Sequence, residues 1–191
     1  ARSVGINLYS GCEYKLQDAL LLKDRLITLA GSDFILVEIT SGVLGDFVYN
    51  QVYDLELAGY QVILAHPERS FIPADLPKLR KLSDMGVYFQ ITAGSIAGKF
   101  GKQIQRFAFK LLEEGLCHFI SSDAHNPRSR AFFSSEARSI LQKKELSPQA
   151  INLLFHENAS KVLTGEPTIR SFSLKRSQPP SRKLFPKRGL S

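Results

Sequence analysis

Residues 34–65 read FILVEITSGVLGDFVYNQVYDLELAGYQVILA, and this stretch decides the fold class. The apolar runs at 34–39 and 61–65 are rich in β-branched and aromatic residues, which favour strands. Between them, residues 46–58 repeat apolar side chains near helical spacing, and Gly59 follows as a C-terminal cap. A strand, a helix and a strand in this order predict a parallel βαβ unit.

The same alternation continues on both sides of this stretch. Further elements are predicted in this order: a strand at 4–9, a helix at 76–85, a strand at 87–91, a helix from the glycine-rich loop 93–101 to about residue 114, a strand at 116–121, and helices at 148–155 and 159–163. Valine, leucine, isoleucine and aromatic residues dominate the strands, which is typical of a parallel sheet covered on both faces. The sequence therefore predicts an α/β fold.

The net charge of +7 comes from the C-terminal end of the chain. Residues 168–191 contain seven lysines and arginines and no acidic residue, which leaves 18 basic residues against 18 acidic ones elsewhere. The neutral body does not indicate a nucleic-acid-binding domain, and no specific nucleic-acid partner is expected. We predict one domain at 1–167 and a disordered basic tail at 168–191, which is either solvated or in contact with anionic surfaces.

The sequence indicates neither a membrane-spanning segment nor a catalytic cysteine. No apolar stretch approaches the roughly 20 residues that cross a bilayer, and no signal peptide is apparent, so we expect a cytoplasmic protein. The sixth residue after Cys12, and likewise after Cys117, is an aspartate. The arginine of the phosphate-binding loop in cysteine-dependent phosphatases is therefore absent from both positions.

Acidic and imidazole side chains stand at or near the ends of the predicted strands. Glu13 follows the first strand, Glu38 lies in the second, and His66 follows the third. Asp123 and His125 follow the strand predicted at 116–121. Because the ends of parallel strands meet at one edge of a sheet, these five side chains are expected to converge. Such a mixed set suits manganese, iron or zinc better than calcium, although Glu38 is also compatible with a pairing to a neighbouring arginine.

Four short motifs complete the pattern: His66-Pro-Glu-Arg69, Gln90-Ile-Thr-Ala-Gly-Ser95, Gly98-Lys-Phe-Gly101 and Ser122-Asp-Ala-His-Asn126. With Glu13 and Glu38, they resemble the metal-dependent tyrosine phosphatases of the polymerase and histidinol phosphatase (PHP) superfamily that accompany bacterial capsule and exopolysaccharide operons. The resemblance implies a distorted (β/α)₇ barrel. Family members begin with a His-x-His strand and a second histidine-bearing strand, and neither occurs here. We therefore expect a partial barrel that lacks the first one or two βα units.

The resemblance also implies a mechanism. It assigns Mn²⁺, or other divalent metals such as Fe, Co or Zn, to the five candidate ligands, and phosphate binding to Arg69 and Arg130. Metal-bound water is then the nucleophile, and the guanidinium groups match phosphoryl oxygens. An alternative for Arg69 and Arg130 is a structural salt bridge, such as one between Arg69 and Glu68. The loop 93–101 lacks a Walker sequence and is interpreted as a rim loop.

The implied substrate is a phosphotyrosine-containing bacterial tyrosine kinase that controls polysaccharide export. Two alternatives stay open at this point. The chain is a catalytically impaired fragment or non-catalytic remnant of the family, or it is a PHP phosphoesterase acting on another ester, such as histidinol phosphate or nucleic-acid ends.

Overall fold

A computed structural model describes residues 5, 7–40, 44–128, 130–166 and 169–172. Within these residues, the strands are β1 (Glu13–Lys15), β2 (Phe34–Glu38), β3 (Gln61–Ala65), β4 (Tyr88–Thr92) and β5 (Phe119–Ser121). They form one sheet in the order β1-β2-β3-β4-β5, and every pairing is parallel. Each strand therefore pairs with its neighbours in the chain, and the predicted α/β fold with a parallel sheet is confirmed.

Helices connect the strands. The α-helices are α1 (Leu16–Leu21), α2 (Asp46–Leu57), α3 (Pro67–Ser70), α4 (Leu76–Asp84), α5 (Ala93–Ile96), α6 (Lys102–Glu113), α7 (Ser134–Lys143), α8 (Pro148–Asn152) and α9 (Asn158–Thr164). One π-helical turn, Leu153–Glu157, joins α8 to α9, and short 3₁₀ turns occupy Lys23–Arg25, Leu29–Gly31 and Pro73–Asp75. None of the helices in the described ranges combines the length and the apolar character that crossing a bilayer requires.

The predicted strand at 4–9 is wrong for the residues that the structure describes. Residues 5 and 7–9 belong to no strand, and β1 begins only at Glu13, which pairs in register with Leu36. Leu8 is 90% exposed. An apolar run becomes a strand only where a neighbouring strand offers backbone partners, and here β2 offers them to residues 13–15.

Side chains of the sheet alternate between two apolar layers. Ile35 and Val37 of β2 pack into the larger core, whereas Phe34 of the same strand lies in a smaller cluster with Ile63 of β3 and Val162 of α9. This period of two is that of strands buried on both faces. With both faces of the sheet packed, the polar side chains at the strand ends are left to form a site.

Residues 169–172 are the part of the predicted tail that the structure describes, and they lie against the body. Nδ2 of Asn158 donates to the carbonyl of Arg170 at 2.7 Å, and Oδ1 of Asn158 accepts from the Arg170 amide at 3.3 Å. Phe172 packs against the larger core. These contacts run against the predicted disorder for these four residues, because a buried amide side chain binds their backbone. The rest of the tail lies outside the described residues.

Candidate active site

Three candidate ligands meet where separate strands begin or end. Glu13 opens β1, His66 follows β3 directly, and Asp123 lies two residues after β5. One ligand atom from each residue lies within 4.8 Å of the other two, and the described part of the chain holds no second group of this kind. Two ligand atoms at about 2.0–2.2 Å from one ion are at most about 4.4 Å apart. The donor types and their spacing therefore fit a divalent transition metal after a small adjustment.

Glu13 and His66 are in direct contact. Nε2 of His66 lies 3.0 Å from Oε1 of Glu13, while the buried Nδ1 has no partner among the described residues. Burial by itself lowers the pKa of His66, but the hydrogen bond and the charge of Glu13, helped by Asp123, outweigh burial and the repulsion from Arg69. The pKa of His66 is therefore raised above its ordinary value. The surroundings of His66 therefore stabilise a positive charge, and they would stabilise the charge of a bound cation in the same way.

Two of the three residues have unusual backbone conformations. His66 is left-handed, with φ 32° and ψ 53°, although the proline that follows it favours an extended conformation. Asp123 has φ 47°. Each such conformation costs about 1–3 kcal/mol and persists only where the surroundings impose it, as at functional sites. At His66 the carbonyl accepts from the Arg69 amide at 2.9 Å, which fixes the turn into α3.

Both candidate phosphate-binding arginines reach the carboxylate of Asp123. Nη1 of Arg69 and Nη2 of Arg130 each lie 2.6 Å from the same oxygen, Oδ2. Because the Asp123 side chain is only 7% exposed, two cations face one buried anion. The surplus positive charge and the remaining N–H groups suit a phosphoryl group beside the candidate metal ligands.

Glu68 is not the ionic partner of Arg69, whose salt bridge is formed with Asp123 instead. Its carboxylate is 1% exposed, and Oε1 accepts from the Thr92 amide at 3.0 Å and from Oγ of Ser95 at 2.7 Å. Burial raises the pKa of Glu68, against these two hydrogen bonds. The sequence analysis missed this role. Glu68 lies two residues after the candidate ligand His66. Its hydrogen bonds with Thr92 and Ser95 tie α3 to β4 and α5.

Glu38 and His125 stand beside the three-residue group rather than within it. Both line, with Glu13, a cavity of about 680 Å³. Nδ1 of His125 donates to the carbonyl of Asp123 at 2.9 Å, which leaves Nε2 as the free ligand nitrogen. Metal-binding histidines commonly donate their second nitrogen in this way. Within the described ranges, Glu38 forms no salt bridge with an arginine, so a place at the cavity describes it better.

The buried cysteine and histidine near β5 do not belong to the site. Cys117 is fully buried, and burial raises the pKa of its thiol well above the ordinary value, so the reactive thiolate is disfavoured. Nδ1 of His118 accepts from the Phe89 amide at 3.0 Å within the core. Both are packing residues of the core.

Known proteins have similar sequences. Tyrosine-protein phosphatase YwqE from Bacillus subtilis (strain 168) is 37% identical over 170 residues, which are 86% of this chain and 63% of the relative. Putative tyrosine-protein phosphatase CapC from Staphylococcus aureus is 32% identical over 169 residues, 86% of this chain and 66% of the relative. The chain thus spans a little less than two thirds of the length of each.

A solved structure shows the same fold. It comes from the crystal structures of YwqE from Bacillus subtilis and CpsB from Streptococcus pneumoniae, which are metal-dependent tyrosine phosphatases. The TM-score is 0.77 at 35% identity, over 90% of this chain and 71% of that chain.

The family comparison covers the same region. The sequence model described as "Capsular polysaccharide synthesis, CpsB/CapC" matches residues 1–164. This range takes in the whole sheet and all three residues of the candidate metal group. On the strength of that match, the chain belongs to the CpsB/CapC family of capsular polysaccharide synthesis.

Proposed function

We propose that this chain is a metal-dependent phosphotyrosine-protein phosphatase with Mn²⁺ as its cation. The observation that carries the proposal is the convergence of Glu13, His66 and Asp123 from separate strands, with two guanidinium groups on the same carboxylate. Relatives that share the fold and family are named tyrosine-protein phosphatases, which favours this ester over histidinol phosphate or nucleic-acid ends.

The acidic and histidine side chains of the site would bind the metal. Glu13, His66 and Asp123 would hold the metal, with Glu38 and His125 available from the walls of the same cavity. When bound, such an ion supplies a water of lowered pKa and offsets the charge of the phosphoryl group.

Two arginines serve the substrate directly. Arg69 and Arg130 would bind the phosphoryl oxygens through their N–H groups and stabilise the charge that develops on them. A phenolate leaving group has a conjugate-acid pKa of about 10, so it departs without a dedicated acid more readily than an alkoxide.

The surface around the cavity supports an aromatic ester. Tyr14, Leu21 and Leu22 line the same space as Glu13 and offer apolar contacts to a tyrosyl ring. Because the family serves capsular polysaccharide synthesis, we propose a phosphotyrosine-bearing tyrosine kinase of that process as the protein substrate. Such a kinase phosphorylates with ATP, so the encounter is expected in the cytoplasm.

We further propose that the sheet is part of a distorted (β/α)₇ barrel. Its strands follow one another in chain order without the reversal of a doubly wound sheet, and helices alternate with them. The polar site at the strand ends is consistent with this arrangement.

The test is turnover of p-nitrophenyl phosphate and a phosphotyrosyl peptide by the full chain with added Mn²⁺, before and after chelation. We expect Mn²⁺-dependent hydrolysis that His66→Asn abolishes and that the exposed-site control His156→Asn leaves unchanged. Faster turnover of histidinol phosphate or single-stranded DNA would favour the other phosphoesterase alternative. No turnover of any ester would favour the non-catalytic one.

A further inference from the structure

The loop 98–101, between α5 and α6, places an aromatic ring beside the phosphate-binding residues. Cζ of Arg69 lies 5.1 Å from the centre of the Phe100 ring, which is within the range of a cation–π contact. We propose that Phe100 is a positioning residue that orients the Arg69 guanidinium toward the phosphoryl group. This inference rests on the proposed function, and it assigns a task to a loop that the sequence had marked only as a rim.

The loop is built to hold one conformation. Gly98 and Gly101 bracket it with φ 75° and φ 94°, which side-chain-bearing residues rarely adopt. A Cβ on Gly98 would lie 3.1 Å from Nε2 of Gln105, and this nitrogen donates to the carbonyl of Ile96 at 2.8 Å. The Gly101 amide donates to the Gly98 carbonyl at 3.2 Å, so the segment that carries Phe100 is held at both ends.

Gly94 makes room for the ring. A Cβ at this position would lie 2.9 Å from Cε2 of Phe100 and 3.2 Å from Cδ2 of Phe133. Its carbonyl accepts from the Lys99 amide at 2.9 Å, directly before the ring. Nζ of Lys99 lies 4.8 Å from the centre of the Phe133 ring. The ring of Phe100 is thus confined by its neighbours, and a confined ring can confine the cation above it.

Arg69 needs such support because its ionic partner is shared. Oδ2 of Asp123 accepts from both Arg69 and Arg130, and Asp123 is also a candidate metal ligand. A single-oxygen contact sets the position of one N–H group but not the plane of the guanidinium. A ring beside that plane sets it, while the N–H groups at the edge stay available to phosphoryl oxygens.

The experiment compares variants of the full chain with added Mn²⁺, using inorganic phosphate as the binding probe and a phosphotyrosyl peptide as the substrate. Phe100→Leu should weaken phosphate binding and lower kcat/KM by about three- to tenfold, the size of a partly exposed cation–π contact. Phe100→Tyr keeps the ring face and should stay within about a factor of two. The matched control is Phe109→Leu, because the Phe109 ring lies 4.5 Å from Nζ of Lys144 in an equivalent pair.

A double-mutant cycle with Arg69→Lys decides whether Phe100 acts through Arg69. Non-additive losses in the Phe100→Leu/Arg69→Lys chain support the proposal, and additive losses overturn it, as does unchanged phosphate affinity in Phe100→Leu. Phe100→Met replaces Phe100→Leu in the same cycle if the latter does not fold. If no chain turns over the peptide while the phosphate-binding cycle is non-additive, the proposed function fails and the positioning role stands. If the chain turns over the peptide while the phosphate-binding cycle is additive, the proposed function stands and the positioning role fails.

Discussion

Oε1 of Glu13 and Nε2 of His66 lie 3.0 Å apart, although the two residues belong to β1 and to the end of β3, which β2 separates in the sheet. In the chain they are 53 residues apart. No local segment brings them together. The contact exists only when three strands have paired in register, so the candidate metal group requires an intact sheet.

Glu13→Gln should remove metal affinity without unfolding the chain. Glutamine keeps the shape of the side chain and an oxygen that can accept from His66, but it loses the negative charge that binds a cation. We expect Mn²⁺ binding, measured by titration calorimetry, to weaken by more than about tenfold, since loss of an outer-shell partner alone costs that much. The matched control, Asp24→Asn on an exposed turn, should bind Mn²⁺ as the parent chain does.

Arg130→Gln should lower phosphatase activity far more than it lowers stability. The arginine binds the carboxylate of Asp123, itself a candidate ligand, and glutamine can neither form that ion pair nor stabilise transition-state charge. We expect kcat/KM for a phosphotyrosyl peptide to fall about 10²–10³-fold, the usual cost of one such donor. Arg106→Gln removes an arginine on the exposed face of α6 and should leave kcat/KM unchanged. Equal kinetics in the two variants would remove Arg130 from the mechanism.

Local pattern predicted the centre of the fold closely. The strand at 61–65 is β3, and the helix at 46–58 is α2 with one residue fewer. There the apolar spacing predicted the element, because Val48, Val52 and Leu55 of α2 pack on the core although Phe47 and Leu57 are exposed. The strand predicted at 4–9 does not form in the described residues 5 and 7–9, because pairing with β2, which no local pattern encodes, begins only at Glu13.

The candidate site was predictable as residue types but not as distances. Glu13, His66 and Asp123 stand at strand ends in the sequence, and the structure brings these three together. Sequence alone could not separate them from Glu38 and His125, since all five share the same signals. The contacts that support the site could not be predicted from the sequence. The hydrogen bond from Ser95 to Glu68 and the ring under Arg69 each join elements whose spacing along the chain has no periodic signature.

Ser95→Ala should destabilise the fold through Glu68. The hydroxyl donates 2.7 Å to a buried carboxylate, and its removal leaves that oxygen with the Thr92 amide alone. We expect the free energy of unfolding in urea to fall by about 1–3 kcal/mol, the cost of an unsatisfied buried polar group. Ser139→Ala deletes a hydroxyl that donates to the Ser135 carbonyl on the exposed side of α7, and it should change stability by less than about 0.5 kcal/mol. Equal losses in the two variants would contradict the role of Glu68 as a buried anchor.

His118 should make the fold sensitive to mild acid. The imidazole is 8% exposed, its Nδ1 accepts from the Phe89 amide at 3.0 Å, and its ring stacks on Phe89 at 6.0 Å between centroids. Burial lowers the pKa of His118 from 6.5 to about 4. Protonation would place a hydrogen on the nitrogen that now accepts one, so the charged form breaks this contact.

The direction of the pH effect follows from the lowered pKa of His118. Between pH 6.5 and about 4, His118 is protonated in the unfolded chain but neutral in the folded chain. The contribution of His118 to the free energy of unfolding is therefore fully present above pH 6.5 and declines as the pH falls through this window. The loss from this group amounts to about 3 kcal/mol at pH 4. His118→Asn retains an acceptor for the Phe89 amide and cannot titrate, so urea unfolding across the window should show a shallower decline in this variant. His156→Asn, at an exposed position of the π-helical turn, should follow the parent chain, and identical pH profiles for all three chains would show that His118 does not control acid sensitivity.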